Sequence, residues 1–362
     1  MKLLIQHRHD HNEISGVLTY INYLIPEFQN QGIDVQQVST KQNSILTWVK
    51  LIFWADIVHM NSNNLLFALI CKLLGKKIII KYHYSFYQSA HVRYESMSFL
   101  KRLKIEVKSS LPKPNYPWKW KLYTAVKWVR LATRLSTAFL ANQHIACSDF
   151  LGKACNFSWK VNTLYNPIKV QSQYPIKKLV DISKPYTFVF MGRLAHDKGV
   201  DILLKAAKIL HEQEKKFQLL IIGNGAQAQD LKQLAEKLDI LSVVTFLGQL
   251  SHQEGLLKVK DALALIAPSR WQDPAPYVVL EASSVQTCSI VSQMGGLPEV
   301  AGHHSLFFEN ENAVELANCM SYCLENPQEI ITRGWQSSQY VMEKFSPASA
   351  ANEFLSICSQ CS

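Results

Sequence analysis

The chain of 362 residues has no run of 18 uncharged apolar residues, so no stretch reads as a membrane-spanning helix. The most apolar segments, 45–58 and 65–74, carry Lys50 and Lys72 and are too short to cross a bilayer. The opening MKLLIQHRHDH lacks an apolar core and a small-residue cleavage site, so no signal peptide is expected. Cysteine has no framework pattern. Eight are present at irregular spacing, and Cys358-x-x-Cys361 has no second pair to complete a zinc site. They read as plain thiols of a reducing compartment, which makes the expected location cytoplasmic. Acidic residues are scarce in the first half: residues 1–170 hold 22 Lys/Arg against 8 Asp/Glu, a formal +14. Residues 171–362 hold 16 against 20, a formal −4. This split points to an anionic surface or ligand meeting the first half.

What is present is enough chain for two cores. The first half opens on an apolar strand over 2–6, then a polar loop with Ser15-Gly16. The spacing of Val17, Leu18, Ile21, Leu24, Ile25 and Phe28 predicts a helix that stops at Gly32. Strands are predicted at 34–39, 56–59 and 77–82, with a helix over 65–74. This is the start of a βαβ sheet. His83 follows the KIIIKY strand directly, at the carboxyl end that faces the ligand crevice of such sheets.

Residues 85–142 break the alternation. Lys101, Arg102, Lys104, Lys108, Lys113, Lys119, Lys121, Lys127, Arg130 and Arg134 stand there against Glu95 and Glu106. Trp118, Trp120 and Trp128 are interleaved. Tryptophan beside lysine suits an anionic membrane surface, contacted over 99–134. An ordinary solvated helix face is the competing reading. Single-stranded nucleic acid, held by stacking plus charge, is the least favoured.

After a polar stretch over 169–185 the pattern restarts. Strands are predicted at 186–191, 218–222, 243–247, 263–267 and 289–292, with helices at 200–212, 226–238 and 277–284. Each strand runs into a small-residue loop and each loop opens a helix. The expected organisation is a first domain over 1–170, with the basic insert 85–142, and a second over 186–345. The two halves share a plan and no sequence repeat.

Two loops carry the chemistry. Gly192-Arg193-Leu-Ala-His-Asp-Lys198-Gly199 supplies cations and backbone N–H groups, which is what a diphosphate needs. The stretch 267–302 carries Asp273 and Glu281, eight positions apart, then Gly295-Gly296-x-Pro-Glu. A glycosidase acid/base couple is one reading of two such carboxylates. The amide-rich, cation-rich surroundings favour hydroxyl acceptors beside a diphosphate instead.

These residues resemble the retaining nucleotide-sugar glycosyltransferases of family 4. The likeness covers most of the chain and is densest over 186–302. It implies an α/β, GT-B architecture: two Rossmann-like, doubly wound domains facing across a cleft. It implies that Arg193 and Lys198 hold the diphosphate beside Gly192, that Asp273 and the backbone over Ala275, Pro276 and Tyr277 take the donor sugar, and that Glu281 takes the ribose. Ser15 and Gly16 match the family's phosphate-side glycine loop, and His83 its strand-end histidine near the donor sugar. Ser148 and the Asn166 turn also match. Four departures stand out: Asp273 for the usual Glu, Ser15 for Gly, Asp197 for Glu, and Val285-Gln286-Thr287-Cys288 where Cys-Gly-x-Pro is usual. The resemblance also implies a C-terminal helix, about 347–359, returning to the first domain.

The resulting expectation is an enzyme of EC 2.4 type, moving a sugar from a nucleotide-diphosphate sugar to a lipid or lipid-linked glycan at the inner membrane face. UDP is the expected nucleotide, and no metal or other cofactor is expected. The alternatives are a soluble transferase acting on a polysaccharide, sugar phosphate or metabolite, a nucleotide-sugar 2-epimerase, and a non-enzymatic scaffold.

Overall fold

The computed structural model describes residues 1–10, 13, 15–87, 97–111, 118–170 and 185–360, with backbone alone for 110 and 118–123. Lys113 therefore lies outside the described residues, as do the side chains of Trp118, Lys119, Trp120 and Lys121. Cys361 lies outside them too.

The chain forms two compact units, Met1–Pro167 with Pro347–Ser362, and Ile168–Ser346. In the first, the strands are β1 (Lys2–His7), β2 (Asp34–Ser39), β3 (Ile57–Met60), β4 (Lys77–Tyr82), β5 (Gln143–Ala146) and β6 (Asn162–Thr163). Its helices are α1 (Gly16–Asn30), α2 (Ile45–Trp54), α3 (Leu65–Leu73), α4 (Phe99–Ser110), α5 (Trp118–Leu140) and α6 (Asp149–Ala154). All pairings are parallel, in the order β2-β1-β3-β4-β5-β6. The winding reverses between neighbours β1 and β3, so a crevice opens at their carboxyl ends.

A parallel strand covered on both faces must be apolar throughout. Leu3, Leu4 and Ile5 of β1 are fully buried for that reason. The helical stripe of α1, Val17, Tyr20, Ile21, Leu24 and Phe28, packs on this sheet. The polar loop before α1 ends in a side-chain cap, Ser15 Oγ accepting from Leu18 N at 3.2 Å. Most of 97–140 consists of α4 and α5. The latter is the crossover between β4 and β5, with Leu131, Thr137 and Ala138 of its second half buried.

In the second unit the strands are β7 (Tyr186–Met191), β8 (Phe217–Ile222), β9 (Val244–Gly248), β10 (Ala264–Ala267), β11 (Cys288–Ser292) and β12 (Leu306–Phe308). The helices are α7 (Val200–Glu212), α8 (Ala228–Lys237), α9 (His252–Asp261), α10 (Tyr277–Ser284), α11 (Leu297–Ala301), α12 (Ala313–Glu325) and α13 (Pro327–Lys344). The sheet is again parallel, β12-β11-β10-β7-β8-β9. Here the switch point falls between β10 and β7, the strands feeding the two loops singled out from the sequence. The last helix, α14 (Pro347–Ser359), belongs to the first unit. It buries Ala350, Ala351, Phe354 and Ile357 in the core that α1 covers, with the Phe28 and Phe354 rings 5.2 Å apart.

Candidate active site

At the β7/β10 switch point of the second unit, a cavity of about 180 Å³ is lined by Gly192, Lys198, Pro268, Asp273, Pro276 and Tyr277, among others. Lys198 Nζ lies 3.0 Å from Asp273 Oδ2, both side chains about one quarter exposed. Arg193 points away, pairing with Asp197 at 3.2 Å and largely solvated. Glu281 pairs with His252 from the start of α9, at 3.0 Å. Neither Glu281 nor Ala275 lines the cavity, so Lys198 and Asp273 are brought together while Arg193 and Glu281 are engaged elsewhere.

The backbone explains why Lys198 and Asp273 meet. Asp197 O accepts from Arg270 N at 2.9 Å and Ser269 Oγ at 3.1 Å, tying the β7 loop to the β10 loop. Arg270 grips Asp201 with two bonds of 2.6 and 2.7 Å and Glu311 with one of 2.6 Å. Such a fork fixes geometry as well as charge. The Asp273 loop is held from behind by the Gly295-Gly296 turn, Gly296 N donating to Asp273 O at 2.8 Å. A Cβ on Gly296 would fall 1.9 Å from Pro274 O, so only glycine fits. Gly199, at φ +67, is likewise required: its Cβ would stand 2.0 Å from Pro268 O.

Pro276 caps α10, leaving the amides of its first turn without helical partners. They add positive potential to the cavity where Tyr277 begins the helix. The turn after Glu281 closes with Thr287 N on Ala282 O at 2.9 Å and Gln286 N on Ser283 O at 3.0 Å. Gln286 occupies the left-handed position at φ +61, where glycine is usual. The departure at Gln286 is thus accommodated by backbone strain, without loss of the turn.

In the first unit, His83 follows β4 and its Nε2–H donates to Asn61 Oδ1 at 2.9 Å. Burial, with Lys81 and His59 near, holds it well below the usual histidine range, so it is neutral at pH 7. Beneath it lies a buried cluster. Lys81 Nζ sits 3.5 Å above the Tyr20 ring and donates to Leu164 O at 2.8 Å. Burial lowers Lys81 to about 7. His59 takes the Tyr20 hydroxyl on Nε2 at 3.1 Å, and burial lowers it to about 3. Ser15 and Gly16 begin α1. Ser148 caps α6 and is buried, as is Asn166. A cavity of about 630 Å³ opens at the carboxyl ends of β1, β3 and β4, lined by Arg8, Lys81, His83, Arg130 and Arg134 among others.

Sequence reasoning missed His252, Arg270 and this cationic pocket. Their partners lie 29 or more positions away, beyond any local spacing rule. Among the described residues, no group of three His, Cys, Asp or Glu is placed to hold a metal ion.

Residues 175–334 match the family described as glycosyl transferases group 1. Over this segment the chain is similar to group 1 glycosyltransferases. The segment contains the whole β7–β11 site, including Lys198, Asp273 and Glu281. Among curated proteins, 163 residues are 29% identical to the glycogen synthase of Mycobacterium tuberculosis, covering 44% of this chain and 39% of that one. Another 139-residue match is 30% identical to the phosphatidylinositol N-acetylglucosaminyltransferase gpi3 subunit of Schizosaccharomyces pombe, covering 37% and 29%. The matched stretch therefore spans well under half the length of these relatives. Among solved structures, Anabaena Alr3699/HepE in complex with UDP superposes with a TM-score of 0.73 at 16% identity, over 99% of this chain and all of that one. This likeness shows the fold: the two-unit GT-B architecture extends over the full chain.

Proposed function

We propose that the chain is a retaining glycosyltransferase that moves a sugar from a UDP-sugar to a lipid or lipid-linked glycan at the cytoplasmic membrane face. The observation that carries the transfer is the meeting of Lys198, Asp273 and the α10 amides on one cavity of the second unit. Arg193 and Lys198 neutralise the diphosphate, and preorganised cations and amides stabilise it further as charge develops on leaving. Asp273 accepts hydrogen bonds from sugar hydroxyls, and Glu281 from the ribose diol. The bond from the anomeric carbon to phosphate oxygen breaks. The acceptor oxygen bonds to the same face, and its proton passes to the leaving phosphate oxygen. His83, being neutral, offers the sugar a hydrogen bond without adding charge.

The UDP in the HepE complex supports the donor. The membrane part rests on α2 and α3. Leu46, Phe53 and Leu73 are each more than 70% exposed, with Leu66 and Leu69 beside them. Lys50 is exposed on α2, and Trp128 and Val129 are exposed on α5, which packs on α3. Apolar side chains among lysines suit an anionic bilayer surface. No described helix is long and apolar enough to cross a membrane. The named acceptor lipid of the gpi3 relative agrees with this reading. The glycogen synthase match favours a second one, a polysaccharide acceptor without membrane contact.

Lys198→Ala with a radiolabelled donor tests the transfer. A loss of about 100-fold or more in turnover is expected, and full turnover would sink the assignment. Liposome flotation decides the acceptor class. Binding to anionic vesicles supports the lipid reading, and binding to none leaves the polysaccharide.

A further inference from the structure

The pocket at the carboxyl ends of β1, β3 and β4 is lined by charge of one sign. Arg8 follows the end of β1, Lys81 is the last residue but one of β4, and Arg130 and Arg134 reach in from α5. Among the described residues, no Asp or Glu lines it. The nearby carboxylates are already engaged: Asp10 with Lys41, Glu13 with His9, and Glu106 with Arg102. Among the described residues, no carboxylate pairs with Arg8, Arg130 or Arg134. Burial, then the neighbouring Arg8 and Arg130, disfavour the charge on Arg134, and Glu106 offsets this only in part. A protein holds like charges together at a cost, and an anion placed among them removes it. The neutral lining fits the same ligand. Ser62, Asn61 and His83 offer hydrogen bonds to hydroxyls beside the charged group.

We propose that this pocket binds a phosphate monoester, and that the ester belongs to the hydroxyl-bearing acceptor. The guanidiniums of Arg8 and Arg130 take the phosphate oxygens, both side chains being exposed and able to reorient. Arg134 has a structural bond as well, donating to Phe86 O at 2.7 Å, which steadies the wall of the pocket. Lys81, lowered to about 7 by burial, lies beneath, and a bound phosphate favours its charged form. The acceptor role rests on the glycosyltransferase reading, whereas the anion site does not. The residues that line the pocket all belong to the first unit.

Calorimetric titration of the full chain tests this, with glycerol 3-phosphate against glycerol, and with UDP alongside. Saturable binding of glycerol 3-phosphate and none of glycerol is expected. The double variant Arg8→Ala, Arg130→Ala should weaken glycerol 3-phosphate by about tenfold or more while leaving UDP unchanged. Arg8→Ala and Arg130→Ala lie on exposed side chains, so folding is retained. A parallel flotation arm uses phosphatidylcholine vesicles with and without phosphatidic acid. Binding gained with phosphatidic acid and lost in the double variant assigns the phosphate to a lipid headgroup. Soluble binding alone assigns it to a free sugar or polyol phosphate. Both support the site. No binding of any phosphate probe overturns it, as does undiminished binding in the double variant. Competition by UDP would also overturn it, by giving the pocket to the donor. If UDP fails to bind while glycerol 3-phosphate behaves as expected, the donor reading falls and the anion site stands.

Discussion

The two units share a parallel doubly wound plan and solve the placement of charge in opposite ways. In the second unit every charged group singled out from the sequence has a partner: Lys198 with Asp273, Arg193 with Asp197, Glu281 with His252. Ligand binding there is an exchange of partners, which costs less than charging an empty site. In the first unit burial suppresses charge. His59, His83, His144 and Lys81 are all displaced toward their neutral forms. Among the described residues, no carboxylate forms an ion pair with Arg8, Arg130 or Arg134. One site is built from compensated ions on tightly apposed backbone, and the other from uncompensated cations over a neutralised floor.

The sharpest way to break the comparison is at the backbone. Gly296→Ala puts a Cβ 1.9 Å from Pro274 O, with no flexible side chain to yield. A loss of about 3 kcal/mol or more is expected, or a displaced Asp273 loop. Gly32, in the first unit, sits at φ +73 with nothing within 4 Å of an added Cβ. Gly32→Ala meets only the left-handed backbone penalty, about 1 kcal/mol. Chemical denaturation of both variants, with UDP titration, checks the contrast. Equal costs would show that the second site does not depend on close approach.

Acid should separate the units next. The folded pKa of His59, about 3, lies below its unfolded value near 6.5, and burial lowers His144 to about 4. Between those values the unfolded state binds the extra proton, so stability falls as pH drops through the window. His59 alone should cost roughly 3 kcal/mol by pH 4. Lys81 acts with the same sign higher up, stability rising from about pH 7 toward 10 as its folded form is the first to lose the proton. Hydrogen exchange at pH 7 and 4, corrected for intrinsic rates, should show β3 and β4 losing protection before β10 and β11. Uniform loss would remove the contrast.

How far the sequence reveals all this depends on where partners lie. The α7 stripe, Val200, Leu203, Leu204, Ala207 and Leu210, has helical period and is read with its boundaries intact. The segment of α2, ILTWVKLIFW, is apolar on all sides, so no period marks it as a helix. Its exposed apolar face explains that composition. Lys198 and Asp273 stand out because each sits in a loop between a strand and a glycine turn, where backbone chemistry leaves a local signature. His252 and Arg270 do not. Their roles come from contacts with Glu281 and Asp201, set by the stacking of loops at a switch point. The same holds for Arg8, Arg130 and Arg134, which reach one pocket from two elements. Net charge forecasts an anion for the first half, and only the topology says where it goes.

The pairing of His252 and Glu281 allows a finer test. The bond to Glu281 raises the His252 pKa, so the pair is fully formed below about 6.5 and is lost as pH rises through the raised value. If Glu281 takes the ribose, UDP affinity should climb as His252 deprotonates and releases it. An exposed pair supports a change of about threefold to fivefold at most. His252→Ala should flatten the profile at the high-pH affinity. A profile unchanged by the substitution would separate Glu281 from the nucleotide.

The smallest effect concerns the strain that the second unit tolerates beside its site. Gln286 holds φ +61 in the turn after α10, and Gly334 of α13 presses on it, an added Cβ there meeting Gln286 O at 2.3 Å. The turn is therefore fixed from outside and cannot relax by moving. Gln286→Gly relieves the left-handed penalty but frees the unfolded chain, so the two effects partly cancel. A net gain of about 0.5 kcal/mol is expected, read as a small rise in the denaturation midpoint with an unchanged slope. A loss of stability would mean that the Gln286 side chain contributes more than the backbone strain costs, and that this departure is compensated by contact as well as by the turn.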